Sequence, residues 1–439
     1  MANTEHSTTQ IVQGSNMRRV LILGAGSAGI AAALELKKAS ARTPEMEVTL
    51  VDQQNYHFVI PMIYQVVAGS VEPSFISFPL RIMLRQKPTA GRFKFIQSRI
   101  RSIDVERKKV ITDDVELEWD YLVIALGSTV NFFGMNEVEK NAIRFRSLRD
   151  AINFHNLILD NYEAALLEKD EQRRRELLTF VVVGGGPTGV ELSAHLQDFF
   201  LKALAQDYPS LTPQVRVILV EAQETLLSGM KPKMAELAIS RLRSRGVEVL
   251  LKSRISKAWA GGVQTADGQT IPTSTVIWVA GVKPVDIVSS LPFDKAKDGR
   301  IKVNEYLKVP NSPGVYVIGD CAYLQQEHSS GAYPATHQVA VRQGPACARN
   351  IINAITGKPR RPFRYKFKGQ IIYIGRNVAV AQILDHVFDG FAAGFLRRLL
   401  FLEQMIMYLG LLTAFKNKVG TALDWFFAYF YHRNTARIE

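Results

Sequence analysis

Two glycine-rich segments have the residue types and spacing that bind the pyrophosphate of a dinucleotide. Each follows an apolar run typical of a buried parallel strand, residues 20–23 and 180–183, and each precedes a helical pattern. In such a turn the first glycine bends the chain, the second lets the backbone approach the pyrophosphate, and the third lets the helix pack on the strand. Two motifs in this context predict two dinucleotide sites. The predicted contacts are Gly24, Gly26, Ser27, Ala28 and Gly29 at the first, and Gly184, Gly185, Gly186, Pro187, Thr188 and Gly189 at the second.

A carboxylate follows each motif at the end of the next strand-like run. These are Asp52, with Gln53 beside it, and Glu221. Such an acid accepts hydrogen bonds from ribose hydroxyls. No arginine that could bind a 2′-phosphate follows Glu221, because Ala222 and Gln223 come next, so the second site is predicted to prefer NADH over NADPH. Either acid could instead be an ordinary carboxylate at a strand end.

Composition limits the class of partner. The 439 residues suffice for two domains and an extension, and the formal net charge of +13 favours an anionic partner. That partner could be a nucleic acid, an acidic carrier protein or an anionic membrane face. Because the chain has no zinc-finger spacing, basic zipper or aromatic RNA-binding motif, nucleic acid is the least favoured of the three.

Cysteine and histidine usage argues against two kinds of chemistry. The two cysteines, Cys321 and Cys347, are too far apart for a CxxC redox pair, which disfavours disulfide reduction. The eight histidines form no metal-binding pair, so no metal site is predicted. Residues 1–17 are predicted to be a disordered tail without the apolar core of a secretory signal.

The order of the apolar runs predicts an α/β fold of two Rossmann-like dinucleotide-binding domains, with the NADH domain inserted in the FAD domain. Residues 314–318 form a further buried run that has no role in the inserted domain, so it is expected to return to the first sheet. Residues 92–118 are predicted to be a small antiparallel insert, and residues 148–178 a charged helical crossing between the domains. The ends of the later runs are predicted to line the nucleotides: Ala125, Gly127, Gly281 and Asp320.

The predicted domain boundaries follow from these runs. The FAD domain covers residues 18–147 and 296–358, the NADH domain residues 148–295, and a C-terminal region residues 359–439. Asp320 is expected at the ribitol chain of the flavin. The helix from about Thr336 is expected to point its positive end at the flavin ring, where it would stabilise negative charge on the reduced ring.

In this order the motifs resemble the two-dinucleotide-binding flavoprotein superfamily over about residues 18–350. The closer resemblance is to the type II NADH dehydrogenases, single-chain flavoenzymes that oxidise NADH and reduce quinone at a membrane surface without pumping protons. The segments that carry it are residues 55–65, 184–192, 334–344 and 369–376. In the third segment the family's usual quinone-site pattern is Ala-Gln-x-Ala-x-Gln. Here Gln338 is kept, but His337 and Arg342 replace the expected Ala and Gln.

The resemblance implies FAD and NADH as cofactors, a membrane quinone as acceptor, and three catalytic residues. Glu191 would lie near the flavin and nicotinamide, Gln338 would bond the flavin carbonyl region or the quinone, and His337 would donate a proton to the reduced quinone. Plain structural explanations exist beside these roles. A glutamate in the first turn of a helix is favourable with the macrodipole, and a single histidine is often structural.

The C-terminal region is basic and aromatic. Residues 359–439 hold twelve Lys and Arg against five Asp and Glu, and the longest uncharged run, residues 404–415, is too short to cross a membrane. An aromatic face at helical spacing comprises Phe426, Phe427, Phe430 and Tyr431. Aromatic residues with basic neighbours predict an amphipathic helix on an anionic membrane surface, here the cytoplasmic face. The same face could pack on the protein's own core or on the partner subunit of a homodimer.

Three other functions share parts of this pattern. A sulfide:quinone reductase has the same fold but needs cysteines beside the flavin. A reductase of an acidic carrier protein would account for the net charge but not for the aromatic C-terminal region. A non-enzymatic flavoprotein that acts as an interaction module would bind FAD without oxidising NADH.

Overall fold

The computed structural model describes residues 17–43, 45–85, 92–327, 331–367, 369–375, 378–383, 386–388, 415–430 and 433–438. The predicted tail lies outside these residues except for Met17. So do Arg376, Tyr431, residues 404–414 of the uncharged run and the side chain of Phe430.

The strands, in chain order, are β1 (Arg18–Leu23), β2 (Met46–Asp52), β3 (Tyr56–Phe58), β4 (Ser77–Pro79), β5 (Arg92–Gln97), β6 (Ile100–Asp104), β7 (Lys109–Thr112), β8 (Glu116–Glu118), β9 (Tyr121–Ile124), β10 (Ser128–Val130), β11 (Ile143–Arg144), β12 (Thr179–Val183), β13 (Arg216–Val220), β14 (Glu248–Leu250), β15 (Ile255–Trp259), β16 (Gly262–Thr265), β17 (Thr270–Pro272), β18 (Thr275–Trp278), β19 (Val282–Pro284), β20 (Ile301–Lys302), β21 (Val315–Val317), β22 (Ala322–Tyr323), β23 (Gly369–Tyr373), β24 (Ala379–Ile383) and β25 (His386–Phe388).

The helices are α1 (Ser27–Ser40), α2 (Ile63–Val67), α3 (Pro73–Ile76), α4 (Leu80–Met83), α5 (Asn136–Asn141), α6 (Leu148–Leu167), α7 (Glu171–Leu177), α8 (Pro187–Phe199), α9 (Ala205–Asp207), α10 (Pro232–Arg243), α11 (Asp286–Ser289), α12 (His337–Ile355) and α13 (Phe415–Phe430). A π-helical turn, Phe200–Leu204, joins α8 to α9.

The first unit is built on a five-stranded sheet in the order β21-β9-β1-β2-β5, in which every pair is parallel. Its central strand β1 is apolar and buried over residues 20–23, as expected for a parallel strand covered on both faces. Strand β21 is the predicted return strand. Because it follows the whole second unit in the chain, that unit is inserted between β9 and β21.

The second unit repeats the design with a parallel sheet in the order β11-β18-β12-β13-β14. Strand β11 lies before residue 148, where the sequence predicted this unit to begin. The chain passes between the two units twice, and the strands at these two places, β10 and β19, form an antiparallel pair.

The prediction for residues 92–118 was wrong in its first part. Residues 100–118 form the antiparallel insert β6-β7-β8, but β5 is parallel to β2 at the edge of the first sheet. The side chains of Phe93 and Phe95 pack against the core of that sheet, while Arg92 is exposed. An edge strand with one buried face alternates polar and apolar residues like an antiparallel strand, so the pattern did not distinguish the two.

The crossing between the units consists of two helices. Helix α6 begins with a capping box. Ser147 Oγ accepts from the backbone NH of Asp150, and the carboxylate of Asp150 accepts from the backbone NH of Ser147. Asp170 caps α7 by accepting from the NH of Arg173. These caps satisfy the free NH groups at each helix start, so the predicted helical stretch divides at residues 168–170.

Helix α13 is attached to the first half of the chain. The side-chain amide of Asn417 donates to the carbonyls of Ser74, Phe75 and Ser77, each at 3.0 Å, and Trp425 Nε1 donates to Gln65 Oε1 at 2.7 Å. Among the described residues, none of the helices combines the length and apolar character needed to cross a bilayer.

Candidate dinucleotide and redox site

The first glycine turn has the geometry that the sequence predicted. Gly24 has a φ of +96°, and a Cβ on it would lie 2.5 Å from the carbonyl oxygen of Ala125. A Cβ on Gly29 would lie 1.8 Å from the carbonyl oxygen of Gly24, so only glycine permits α1 to pack this closely on β1. A Cβ on Gly26 would meet nothing within 4 Å. The backbone at Gly26 is therefore open on the side from which a phosphate group would approach.

The second turn repeats this arrangement. Gly184 has a φ of +117°, and a Cβ on Gly189 would lie 1.8 Å from the carbonyl oxygen of Gly184. A Cβ on Gly186 would again meet nothing within 4 Å. Helix α8 begins at Pro187, which lacks an NH where the helix needs none and fixes φ for its first turn.

The two predicted acids are held identically by backbone NH groups. Asp52 accepts from the NH of Ala25 at 2.6 Å and from the NH of Gln54 at 2.7 Å. Glu221 accepts from the NH of Gly185 at 2.6 Å and from the NH of Gln223 at 2.7 Å. Burial raises the pKa of Asp52, and the two hydrogen bonds oppose that rise. Each carboxylate is fixed beside its glycine turn, with its other lone pairs able to accept from a ribose.

The predicted strand-end residues lie around these turns. Ala125 donates its NH to the carbonyl of Leu23 at 2.9 Å, beside the first turn. Gly127 and Gly281 both have a positive φ, of 73° and 78°. Gln53 is exposed beside Asp52. Asp320 follows β21, where its Oδ2 accepts from Ser128 Oγ at 2.6 Å.

The start of α12 contacts the start of α1. Nδ1 of His337 lies 2.7 Å from Ser27 Oγ, while Nε2 is buried and bonds to none of the described residues. Burial, with a smaller contribution from the nearby His57, lowers the pKa of His337 to about 4. His337 is therefore neutral at physiological pH, and its buried Nε2 has no hydrogen-bond partner among the described residues.

Gln338 is engaged by the chain itself. Its Oε1 accepts from the hydroxyl of Tyr365 at 2.9 Å, and its Nε2 donates to the carbonyl of Gly369 at 3.2 Å. Arg342, where the family pattern has Gln, donates to the carbonyl of Gln338 at 2.7 Å and stacks over the Tyr365 ring. These three side chains form a cluster that fastens α12 to the start of the C-terminal region.

Glu191 is a buried carboxyl group on α8. Its Oε1 accepts from the NH of Tyr373 at 3.1 Å, and burial raises its pKa to about 8. One turn later, Nδ1 of His195 donates to the carbonyl of Glu191 at 2.8 Å, and the His195 ring lies 4.4 Å from that of Tyr64. Burial lowers the pKa of His195 to about 4. At neutral pH Glu191 thus holds a proton beside a neutral histidine.

The residues present fit the cofactors predicted from the sequence. Both turns leave the second glycine open, both acids are oriented by the backbone, and the buried Nε2 of His337 lies where a ligand could supply its missing hydrogen-bond partner. Both cysteines are buried and unpaired, and burial raises the pKa of each thiol, that of Cys321 to about 12. In the part of the chain that is described, no group of three or more His, Cys, Asp and Glu could hold a metal ion.

His57, Tyr365 and Arg146 are among the residues near the site that were not predicted. His57 is buried and its Nδ1 lies 2.9 Å from the carbonyl of Ala25 in the first turn. Tyr365 donates a hydrogen bond to Gln338, and Arg146 donates one to Asp320. The uncharged motif around His57 was a signal in the sequence, since a histidine in such a segment is expected to be buried. The other two residues had no local signal.

Comparison with known proteins assigns the fold to a family. The model of the pyridine nucleotide-disulphide oxidoreductases matches residues 18–344, three quarters of the chain. The chain belongs to this family. Its two buried, unpaired cysteines set it apart from the disulfide chemistry in the family's name.

One curated relative and two solved structures are similar to this chain over most of its length. The type II NADH:quinone oxidoreductase of Mycobacterium tuberculosis is 29% identical over 431 residues, which cover 94% of this chain and 88% of that protein. The structure of NDH2 from Plasmodium falciparum in complex with NADH is similar with a TM-score of 0.86 at 20% identity, covering 95% of this chain and 99% of that chain. The sulfide:quinone oxidoreductase of Aquifex aeolicus has a TM-score of 0.68 at 18% identity, covering 92% of each chain.

Alanine at the second glycine of each turn tests the two sites separately. We expect Gly186→Ala to keep its FAD and to bind NADH about tenfold or more weakly, because the new methyl group enters the path of the pyrophosphate. Gly26→Ala should instead purify with less FAD. Flavin absorbance per protein and NADH titration measure both. Equal losses of both ligands in both variants would contradict separate sites.

The raised pKa of Glu191 predicts the pH dependence of stability. From about pH 4.5 to about 8 the folded protein holds a proton that the unfolded chain loses, so the free energy of unfolding falls as pH rises through this window. Glu191→Gln keeps the oxygen that accepts from Tyr373 but cannot ionise, and it should gain stability relative to the parent protein between pH 5 and pH 8. The upper limit is about 1.4 kcal/mol for each unit of pKa displacement. Urea denaturation of the FAD-loaded proteins measures it, and parallel pH curves would contradict the assignment.

Proposed function

We propose that the protein passes a hydride from NADH to FAD and two electrons on to a membrane quinone, without pumping protons. The observation that carries the proposal is the pair of matched turns, each with an open second glycine and a carboxylate held by two NH groups. The quinone as acceptor is supported by the name of the relative from Mycobacterium tuberculosis, which aligns over 94% of this chain. Electrons delivered in this way would feed a respiratory chain.

The proposed roles follow the contacts. When bound, FAD accepts the hydride and releases two electrons. Asp52 and Glu221 hold ribose hydroxyls, and the starts of α1 and α8 face the phosphates. The positive end of α12 favours negative charge near His337. For these tasks the domains are proposed as residues 18–147 with 296–358 for FAD and residues 148–295 for NADH.

Glu191 is the better candidate for the proton that a reduced quinone takes up. It holds a proton at neutral pH because burial raises its pKa to about 8. A neutral His337, with a pKa lowered to about 4, donates or accepts a hydrogen bond instead. Gln338, whose amide is occupied by Tyr365 and Gly369, holds the adjoining segment in place until a ligand competes for it.

The alternatives differ at particular residues. Sulfide oxidation needs reactive thiols, and the buried Cys321 and Cys347 have pKa values raised away from the thiolate. A reductase of an acidic carrier protein would bind that partner through the positive net charge of this chain, and it would not need the exposed apolar face of the C-terminal region. An interaction module would keep FAD but leave it oxidised in the presence of NADH.

Anaerobic mixing with NADH, followed by a short-chain quinone, tests the two half-reactions in turn. We expect NADH to bleach the flavin absorbance and the quinone to restore it. Bleaching without recovery would exclude quinone as acceptor, and an unbleached flavin would exclude NADH oxidation. NADPH serves as the matched control, because Glu221 is expected to repel its 2′-phosphate.

A peripheral membrane site on α13 completes the proposal. One face of the helix is apolar and exposed, and it comprises Phe415, Val419, Leu423, Phe426 and Phe427. Lys416 and Lys418 lie on the same helix. Apolar residues with adjacent lysines suit an anionic lipid surface, and we assign the cytoplasmic face. A homodimer is also proposed, with this region, residues 359–439, contributing to it.

Leucine-to-glutamate changes test the membrane site. Leu423→Glu should abolish sedimentation with anionic phospholipid vesicles, because burying a charge in the lipid interface is costly. Leu167→Glu, at a position that is 80% exposed at the end of α6, is the matched control and should still sediment. If Leu423→Glu sediments normally but changes the oligomeric state in light scattering, the face is a subunit interface instead.

A further inference from the structure

Arg146 and Asp320 join the two units of the fold. Arg146 lies between β11 and α6 in the second unit, and Asp320 lies three residues after the end of β21 of the first sheet. The guanidinium Nη2 of Arg146 donates to Oδ2 of Asp320 at 2.5 Å. The side chains are 31% and 13% exposed, so the pair is largely shielded from water. A contact of this kind is less screened by salt than a surface ion pair.

Ser128 completes a closed ring of three hydrogen bonds with Arg146 and Asp320. Its hydroxyl donates to the same Oδ2 at 2.6 Å and lies 2.6 Å from Arg146 Nη2. Ser128 belongs to β10, one strand of the link between the units. The backbone NH of Arg146 also donates to Asp150 Oδ2 at 3.0 Å, within the capping box of α6. Three segments of the chain therefore meet at one carboxylate.

The orientation of Asp320 follows from this ring. Both side-chain hydrogen bonds end on Oδ2, and Oδ1 has no side-chain partner among the contacts within the described residues. A short charge-assisted bond holds a carboxylate in one rotamer better than a neutral bond does. The remaining oxygen is therefore kept in a fixed position, ready to accept from a hydroxyl group of a ligand.

We propose that Arg146 is a positioning residue for FAD, which reaches from the second unit to orient Asp320 so that its second oxygen accepts from the ribitol chain. The proposal rests on the role of Asp320 in FAD binding and not on the identity of the electron acceptor. If Arg146 acts in this way, retention of FAD depends on the position of the NADH unit relative to the first unit. Neither residue needs to take part in electron transfer for this effect.

The rate of FAD release from the purified holoprotein tests the proposal. We expect Arg146→Met to release FAD about tenfold faster, which corresponds to about 1.4 kcal/mol. Arg146→Lys should restore most of the retention, because an ammonium group can still reach Asp320 Oδ2, although it cannot reproduce the planar guanidinium. Arg144→Met is the matched control. Arg144 is a nearby exposed arginine that pairs with Glu139 and should leave the rate unchanged.

A double-mutant cycle separates positioning from a merely structural role. Asp320→Asn should speed FAD release by itself, and adding Arg146→Met should then cost little more, since the arginine acts through that carboxylate. Fluorescence of FAD released after dilution measures all four proteins without NADH or quinone. Failure of the quinone proposal would therefore leave this result intact.

Two outcomes would overturn the proposal. One is an unchanged rate of FAD release in Arg146→Met together with a lowered melting temperature, which would make the ion pair a docking contact only. The other is additivity in the cycle, in which Arg146→Met speeds FAD release by the same factor whether residue 320 is Asp or Asn. If Arg146→Met does not fold, Arg146→Gln replaces it in the same cycle, because glutamine keeps a hydrogen-bond donor near Ser128.

Discussion

The close approach of each first helix to the strand before it is the constraint on which the rest of the structure depends. In both turns a Cβ on the third glycine would lie 1.8 Å from the carbonyl oxygen of the first, so β1 with α1 and β12 with α8 can pack only through glycine. This approach brings the NH of Ala25 and of Gly185 to the acids of the neighbouring strands. It also places Ser27 against His337 and Glu191 in the buried first turns of α8. The packing of both glycine turns and the position of their two acids therefore follow from two close contacts of the backbone.

Four buried or partly buried ionisable side chains, Glu191, His337, His195 and His57, are neutral at physiological pH. Burial raises the pKa of Glu191 to about 8 and lowers those of His337 and His195 to about 4, and it also lowers the pKa of His57. A neutral surrounding that contains donors, together with the positive end of α12, stabilises negative charge without a permanent counter-ion. The ion pair of Arg146 with Asp320 differs from these groups because both partners are charged, and we propose that it orients the Asp320 carboxylate.

Local patterns explain what the sequence predicted well. A glycine turn and its acid are separated by only 27 residues in the first unit and 36 in the second, and their roles depend on backbone geometry that glycine spacing encodes. The return of β21 followed from the order of the buried runs. Side-chain partners distant in the chain had no such signal: Arg146 meets Asp320 across 174 residues, and Tyr373 donates its backbone NH to Glu191 across 182. Strand β5 was misassigned because an edge strand has the alternation of an antiparallel one.

The C-terminal region is connected to Glu191 through contacts that the linear sequence does not show. Trp425 on α13 bonds Gln65, and the adjacent Tyr64 packs on His195, which bonds the carbonyl of Glu191. From the other side, Tyr373 of β23 bonds the carboxyl group itself. Side chains packed in this way have few alternative arrangements, so a displacement of α13 would disturb the surroundings of Glu191. Helix α13, which we propose as the membrane site, is thereby part of the structure that fixes the environment, and hence the protonation, of the buried acid.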